Sequence, residues 1–223
     1  MSTIKIAVIT GGHNFDVQPF HQLFRLLSGV DAYIQHTDEF VSETAEVRDS
    51  YDAFVFYSMF KDTPTDDVAW YAGKPKTALE RLGETKQGII LLHHALLAYP
   101  DWPMWDDIAG MRKRIMRSYH QNEQVAVDIA DSEHPIAKGM ASWKVIDETY
   151  ILDNAVMPEA VPGNRIFLTT QHPRSMQAFG WTRQYKQARV FCFPSGHGYA
   201  TYANPNFQTV LHRGIEWVTG HIT

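Results

Sequence analysis

Four histidines stand immediately after apolar runs of this chain. His13 follows Ile4-Lys5-Ile6-Ala7-Val8-Ile9-Thr10-Gly11-Gly12, His93 and His94 follow Ile89-Ile90-Leu91-Leu92, and His197 follows Arg189-Val190-Phe191-Cys192-Phe193-Pro194-Ser195-Gly196. Imidazole is the side chain whose charge changes near neutral pH, which suits it to proton transfer, and its neutral form ligates metals. His13 and His197 adjoin glycines, which let backbone come close to a ligand. A carboxylate pair, Asp147-Glu148, interrupts an apolar pattern at Lys144 to Leu152. Strand alternation sends Ile146, Glu148 and Tyr150 to one face, so Glu148 is expected to point inward and Asp147 outward. A buried carboxylate needs an arginine, a histidine or a metal beside it, and surface placement is the plain alternative.

Two chemistries follow from these residue types. In the first, His93 and His197 form an acid/base pair, with Glu148 orienting one of them or acting itself. In the second, two neutral imidazoles and a carboxylate hold a divalent metal such as zinc with one position open, the candidate ligands being His120, Glu148 and His197, with His93 and His13 as further donors. No H-x-x-x-H or H-E-x-x-H occurs, so convergence of the ligands rests on the fold. His120 lies in Ser118-Tyr119-His120-Gln121. Gly11-Gly12 lacks the dinucleotide spacing and no phosphate-loop motif is present, so nucleotide binding is unsupported, although free N–H groups at Gly12 and His13 suit a small anion or a sugar. Aromatic rings with flat faces for sugars are Tyr57, Trp102, Trp105, Tyr150, Tyr199 and Tyr202, with core packing the alternative for each. His134, in Asp131-Ser132-Glu133-His134-Pro135-Ile136, reads as a structural residue of a proline-defined turn.

The elements that must position these groups are legible in outline. Residues 4–10, 32–35, 53–57 and 89–92 are near-continuous apolar runs, as in strands covered on both faces. Phe20, Leu23, Phe24 and Leu27 form one helical stripe that ends at Gly29. A second helix is expected from Thr63-Pro64 toward Leu82, broken or kinked near Gly73 and Pro75. Residues 123–129, 144–152, 165–170 and 177–182 read as antiparallel strands, and residues 184–187 turn the last of them back into a final strand at 189–193. Asn204-Pro205 opens a closing helix that Gly220 ends. The expected fold is therefore α/β, a doubly wound, mainly parallel sheet flanked by helices with a small antiparallel extension. In such sheets ligands bind at the carboxyl ends of the strands, where the histidines fall.

Residues 1–223 are expected to form a single domain, since no repeat or linker divides them. With a net charge of −5 and scattered basic residues, a nucleic-acid partner is not expected. No run approaches the ~18 apolar residues of a membrane span, and no secretory leader precedes the first strand, so a soluble, cytoplasmic protein is expected. The single cysteine, Cys192, rules out an internal disulfide. Edge strands of the antiparallel extension offer a route to a homo-oligomer.

In the motifs Val8-Ile9-Thr10-Gly11-Gly12-His13, Phe54-Val55-Phe56-Tyr57-Ser58, Leu92-His93-His94-Ala95, Asp131 to Gly139, Asp147-Glu148-Thr149-Tyr150, Ser195-Gly196-His197 and Gly214-Ile215-Glu216-Trp217, the chain resembles the trehalose-utilisation (ThuA-like) family. That family is a branch of the class I glutamine-amidotransferase-like superfamily. The resemblance spans nearly the whole chain and implies a flavodoxin-like fold. It also implies a role in utilisation of trehalose or a related disaccharide or keto-sugar, with His93 at the elbow where amidotransferases keep a cysteine. Glutaminase chemistry requires that thiolate, which is missing here. Glutamine at 121 departs from the proline common in the family and bears on how His120 is presented. The expected partner is a small carbohydrate. The expected activity is acid/base chemistry on a sugar derivative. Its alternatives are a metal-dependent hydrolase on the same rim and a non-catalytic sugar-binding or regulatory module.

Overall fold

The computed structural model describes residues 3–223. Strands β1 (Ile4–Gly11), β2 (Val30–His36), β3 (Ala53–Ser58) and β4 (Gly88–Leu92) pair in parallel, with β1 between β2 and β3 and with β4 beside β3. β4 shows why these runs lack polar residues. Ile89 and Leu91 enter one core with Phe56, Trp105 and Trp181, whereas Ile90 and Leu92 enter the other with Phe207 and Val210. Each such side chain, fully buried, contributes about 1.5–3 kcal/mol.

Helix α1 (Val17–Arg25) buries Phe20, Leu23 and Phe24, and Gly29 turns the chain into β2 at φ 74°. Two short helices, α2 (Thr37–Ser42) and α3 (Ala45–Asp49), span the β2–β3 connection and are too brief to show a period in the sequence. The long helix expected over residues 63–82 is shorter in the structure. Only α4 (Pro75–Glu80) is helical, preceded by one 3-10 turn at Trp70–Ala72. Gly73 holds φ 66° with its Cα so close to the Val41 carbonyl that a Cβ would sit 2.7 Å from the oxygen, and Pro75 then opens a new helix. After β4, α5 (Pro103–Ala109) buries Trp105, whose indole N–H donates to the Ala95 carbonyl at 2.9 Å.

The second half is antiparallel. β5 (Met116–Ile129) pairs with β6 (Trp143–Leu152) and β7 (Arg165–Thr169), and β8 (Ala178–Tyr185) lies between β7 and β9 (Ala188–Phe193). The full order is β2-β1-β3-β4-β9-β8-β7-β5-β6. β9 is the seam, parallel to β4 and antiparallel to β8. This is the expected doubly wound sheet with an antiparallel extension. The chain closes with α6 (Tyr199–Tyr202) and α7 (Pro205–Val218). Asn204 caps α7 by accepting from the N–H groups of Asn206 and Phe207, and its side-chain amide donates to Lys144 O on β6. Among the described residues no helix is long and apolar enough to cross a membrane.

His134 is structural, as its turn implies. It is fully buried and stacked on Phe167 at 4.2 Å, accepting from Ile136 N at Nδ1 and bonding Thr182 Oγ1 at Nε2. Burial, then the nearby Arg165 charge, push its pKa down to about 4.

Candidate functional site

At the carboxyl ends of the parallel strands lies a cavity of about 490 Å³. Its polar wall is Glu148, Tyr150 and His197, and its other walls include Gly12, His13, Met59, Lys61, Tyr119 and Gln121. Behind that wall sits His93, the first residue after β4, wholly buried and in the left-handed conformation at φ 55°. For a residue other than glycine this backbone costs about 1–2 kcal/mol, and its neighbours hold it there. His93 Nδ1 donates to the Pro194 carbonyl at 2.8 Å, which leaves Nε2 as an acceptor. Tyr150 donates its hydroxyl to that nitrogen at 2.7 Å.

Three atoms then converge. His93 Nε2 and His197 Nδ1 are 3.3 Å apart, and Glu148 Oε1 lies 3.7 Å from the first and 3.6 Å from the second. Among the described residues this is the one group of three that could hold a metal ion. Ligands on a tetrahedral zinc at about 2.0–2.1 Å stand roughly 3.3 Å apart, so the donor set fits such an ion, provided that Tyr150 releases His93 Nε2. Burial pushes the Glu148 carboxyl up. Once the two histidines are protonated, the hydrogen bond and charge of His93, the charge of His197 and the hydrogen bond of Gln121 outweigh it and bring the pKa down to about 2. Burial, then the His93 charge, lower the His197 pKa, so its imidazole is neutral at pH 7. The Gln121 side-chain nitrogen is 3.4 Å from His197 Nε2, consistent with an acceptor nitrogen on the cavity side.

Asp147 does not point outward. It is 3% exposed because the loop after β9 lies over it. Its Oδ2 accepts from Ser195 Oγ and from Gly196 N at 2.9 Å, and its Oδ1 accepts from His197 N at 2.9 Å and from Glu148 N at 2.8 Å. One carboxylate thus ties β6 to the loop that carries His197. His94 is also buried, packed against His13 and Tyr57 at 4.4 Å each, and among the described residues neither of its ring nitrogens has a hydrogen-bond partner. Burial first, then the charges of neighbouring histidines, hold it well below the ordinary histidine range.

The other expected residues divide. Gly12, His13 and Tyr150 border the cavity. Tyr57 and Tyr202 do not: they are buried, share a 2.8 Å hydroxyl contact, and brace the Gly196 carbonyl through Tyr57. Trp102 lies away from the cavity in the core formed with Tyr99 and Trp105, because the chain past β4 folds down over the sheet. His120 does not join Glu148 and His197. On β5 it is paired with Thr149, whereas its neighbour Tyr119 is paired with Tyr150 and borders the cavity, so alternation turns His120 to the other face, where it bonds Ser118 Oγ. Cys192 is fully buried in β9, and burial pushes its thiol far up, which removes it as a nucleophile. Sequence reasoning missed Asp147, Gln121, Tyr119 and Lys61 as members of the site. The even spacing of 119 and 121 on one strand is the signal that could have found two of them.

A family model described as trehalose utilisation matches residues 5–218. Among solved structures, a ThuA-like protein from Parabacteroides merdae is 21% identical with a TM-score of 0.71, covering 99% of this chain and 91% of its own. Another from Bacteroides uniformis is 17% identical with a TM-score of 0.74, over 97% and 91%. A glutamine amidotransferase from Thermotoga maritima shares the fold at 9% identity and a TM-score of 0.55, over 98% and 99%. No curated protein sequence matches this one.

Proposed function

Membership of the trehalose-utilisation family, to which this chain belongs, is the premise from which we propose that the protein is an enzyme acting on a sugar derivative, a keto-sugar or an oxidised disaccharide, by proton transfer. The observation that carries the reading is the ionised Glu148 carboxylate within 3.7 Å of two imidazoles beside the cavity. His197 is the base: it is neutral and borders the cavity, with Nδ1 toward Glu148 and Nε2 toward Gln121. Glu148 orients the imidazole and stabilises its charged form once a proton is taken, as a carboxylate does for histidine in hydrolytic triads. His93 does not border the cavity and acts through its neighbours, holding the Tyr150 hydroxyl in place. The 223 residues would work as one domain.

A keto-sugar carries an acidic C–H next to its carbonyl, so the test is deuterium wash-in. In D2O the protein is expected to catalyse exchange at that carbon of an oxidised disaccharide, with His197→Ala and Glu148→Gln each reducing the rate at least 100-fold at unchanged fold, read by circular dichroism. Absence of exchange or conversion by the intact protein, or full activity in both variants, overturns the reading.

A second reading is favoured by the 3.3–3.7 Å triangle of donor atoms: His93, Glu148 and His197 hold a divalent cation such as zinc, which would supply a Lewis acid beside the cavity. Elemental analysis of protein purified without a histidine tag decides it. About one equivalent, lost in His93→Ala, supports the reading, and less than a tenth of an equivalent rejects it.

A further inference from the structure

The cavity has one lining cation that the proton-transfer reading does not use. Lys61 stands three residues past the end of β3, and among the described residues no carboxylate lies within 4 Å of its ammonium and no acceptor bonds it. Lys5, Lys76 and Lys186 have partners in the protein, whereas Lys61, like Lys74, Lys86, Lys113, Lys138 and Lys144, bonds none among the described residues; what sets Lys61 apart is that it borders the cavity. Lys61 is solvent-exposed, and the protein on its one covered side lowers its pKa. An ammonium on a concave wall with no partner in the protein is placed to meet the counter-charge of a ligand.

The backbone beside it also offers donors. Among the described residues the N–H groups of Gly12, His13 and Asn14 bond no protein acceptor, and Gly12 and Asn14 are exposed. Gly12 sits at φ 69° with its Cα so close to the Met59 carbonyl that a Cβ would lie 2.7 Å from the oxygen. That contact pins the loop after β1 to the segment that carries Lys61 and sets both on one rim. Asp16 also borders the cavity, but its carboxylate accepts from Tyr199 N at 3.1 Å. Successive unpaired amides next to a lysine form a ready anion site.

We propose that the cavity takes a sugar derivative bearing an acidic group, carboxylate or phosphate, which Lys61 and the amides of residues 12–14 hold while the sugar faces Glu148 and His197. The proposal rests on the cavity being a sugar site. It is tested by calorimetric titration of the full chain with glucose, glucuronate and glucose 6-phosphate. At least one acidic sugar is expected to bind tenfold or more tightly than glucose. That preference should fall below twofold in Lys61→Met and persist in Lys61→Arg. Glucuronate leading identifies a carboxylate and glucose 6-phosphate leading a phosphate. Equal affinity for all three, no binding of any, or a preference intact in Lys61→Met overturns it. Because binding is read without turnover, acidic-sugar preference without deuterium exchange sinks the proton-transfer reading alone, and exchange with no preference sinks this one alone.

Discussion

Asp147 shows how one residue can order a site without touching the cavity. Four donors converge on its carboxylate, two of them backbone N–H groups of the loop that presents His197. Asp147→Asn puts a donor where Oδ2 accepts, setting N–H against N–H. We expect it to cost about 2–3 kcal/mol in urea denaturation, whereas Ser195→Ala, which removes only one donor, costs about 1 kcal/mol. Equal losses in the two variants would contradict this role. The histidines and Glu148 could be picked out from their places after apolar runs. Asp147 could not, because period-two alternation assumes that one face of a strand meets solvent, and here a distant loop covers that face. His120 and Trp102 misled for a related reason: residue type marks them as fit for chemistry, while register and chain path decide which way they turn.

At the scale of elements, the site depends on how the last helix is fastened. Asn204 caps α7 with its side-chain oxygen and holds β6 with its side-chain nitrogen, so one residue couples the closing helix to the strand of Asp147 and Glu148. Asn204→Ala is expected to lower stability by about 1–2 kcal/mol, and Asn204→Ser, which keeps a capping oxygen and loses the bond to Lys144, by less. Thermal melts of the two variants check the order, and a Ser variant as weak as the Ala variant would refute it. This cap and the inner strands were legible because each depends on local sequence. The segment before α4 was not, since the reason it stays unwound, Gly73 against Val41, is a contact across more than thirty residues.

At the scale of the molecule, stability must fall in acid: His94 and His197, whose pKa values burial lowers, act in the same direction as His134, and Glu148 adds its own loss at lower pH. His134 has a pKa near 4 when folded against 6.5 ordinarily, so the unfolded chain binds its proton first. Its effect is absent above pH 6.5 and grows as pH falls to 4, to about 3 kcal/mol. Glu148, at about 2 against 4.5, contributes stability above pH 4.5 that is lost as pH falls toward 2. Denaturation midpoints between pH 7 and 4 should therefore decline steeply, and His134→Gln should flatten that slope; an unchanged slope would exclude this residue as its source. The position of β9 reaches further. It is the last of the described strands in chain order, yet it lies between β4 and β8, so without it the sheet would be two separate halves. His93 lies early in the chain and Glu148 later, and both meet His197 only once β9 and the loop after it are in place. The protein is thus a natural candidate for a split reporter: residues 3–187 would keep a slot between β4 and β8, and the segment 188–223 would bring both the missing strand and His197.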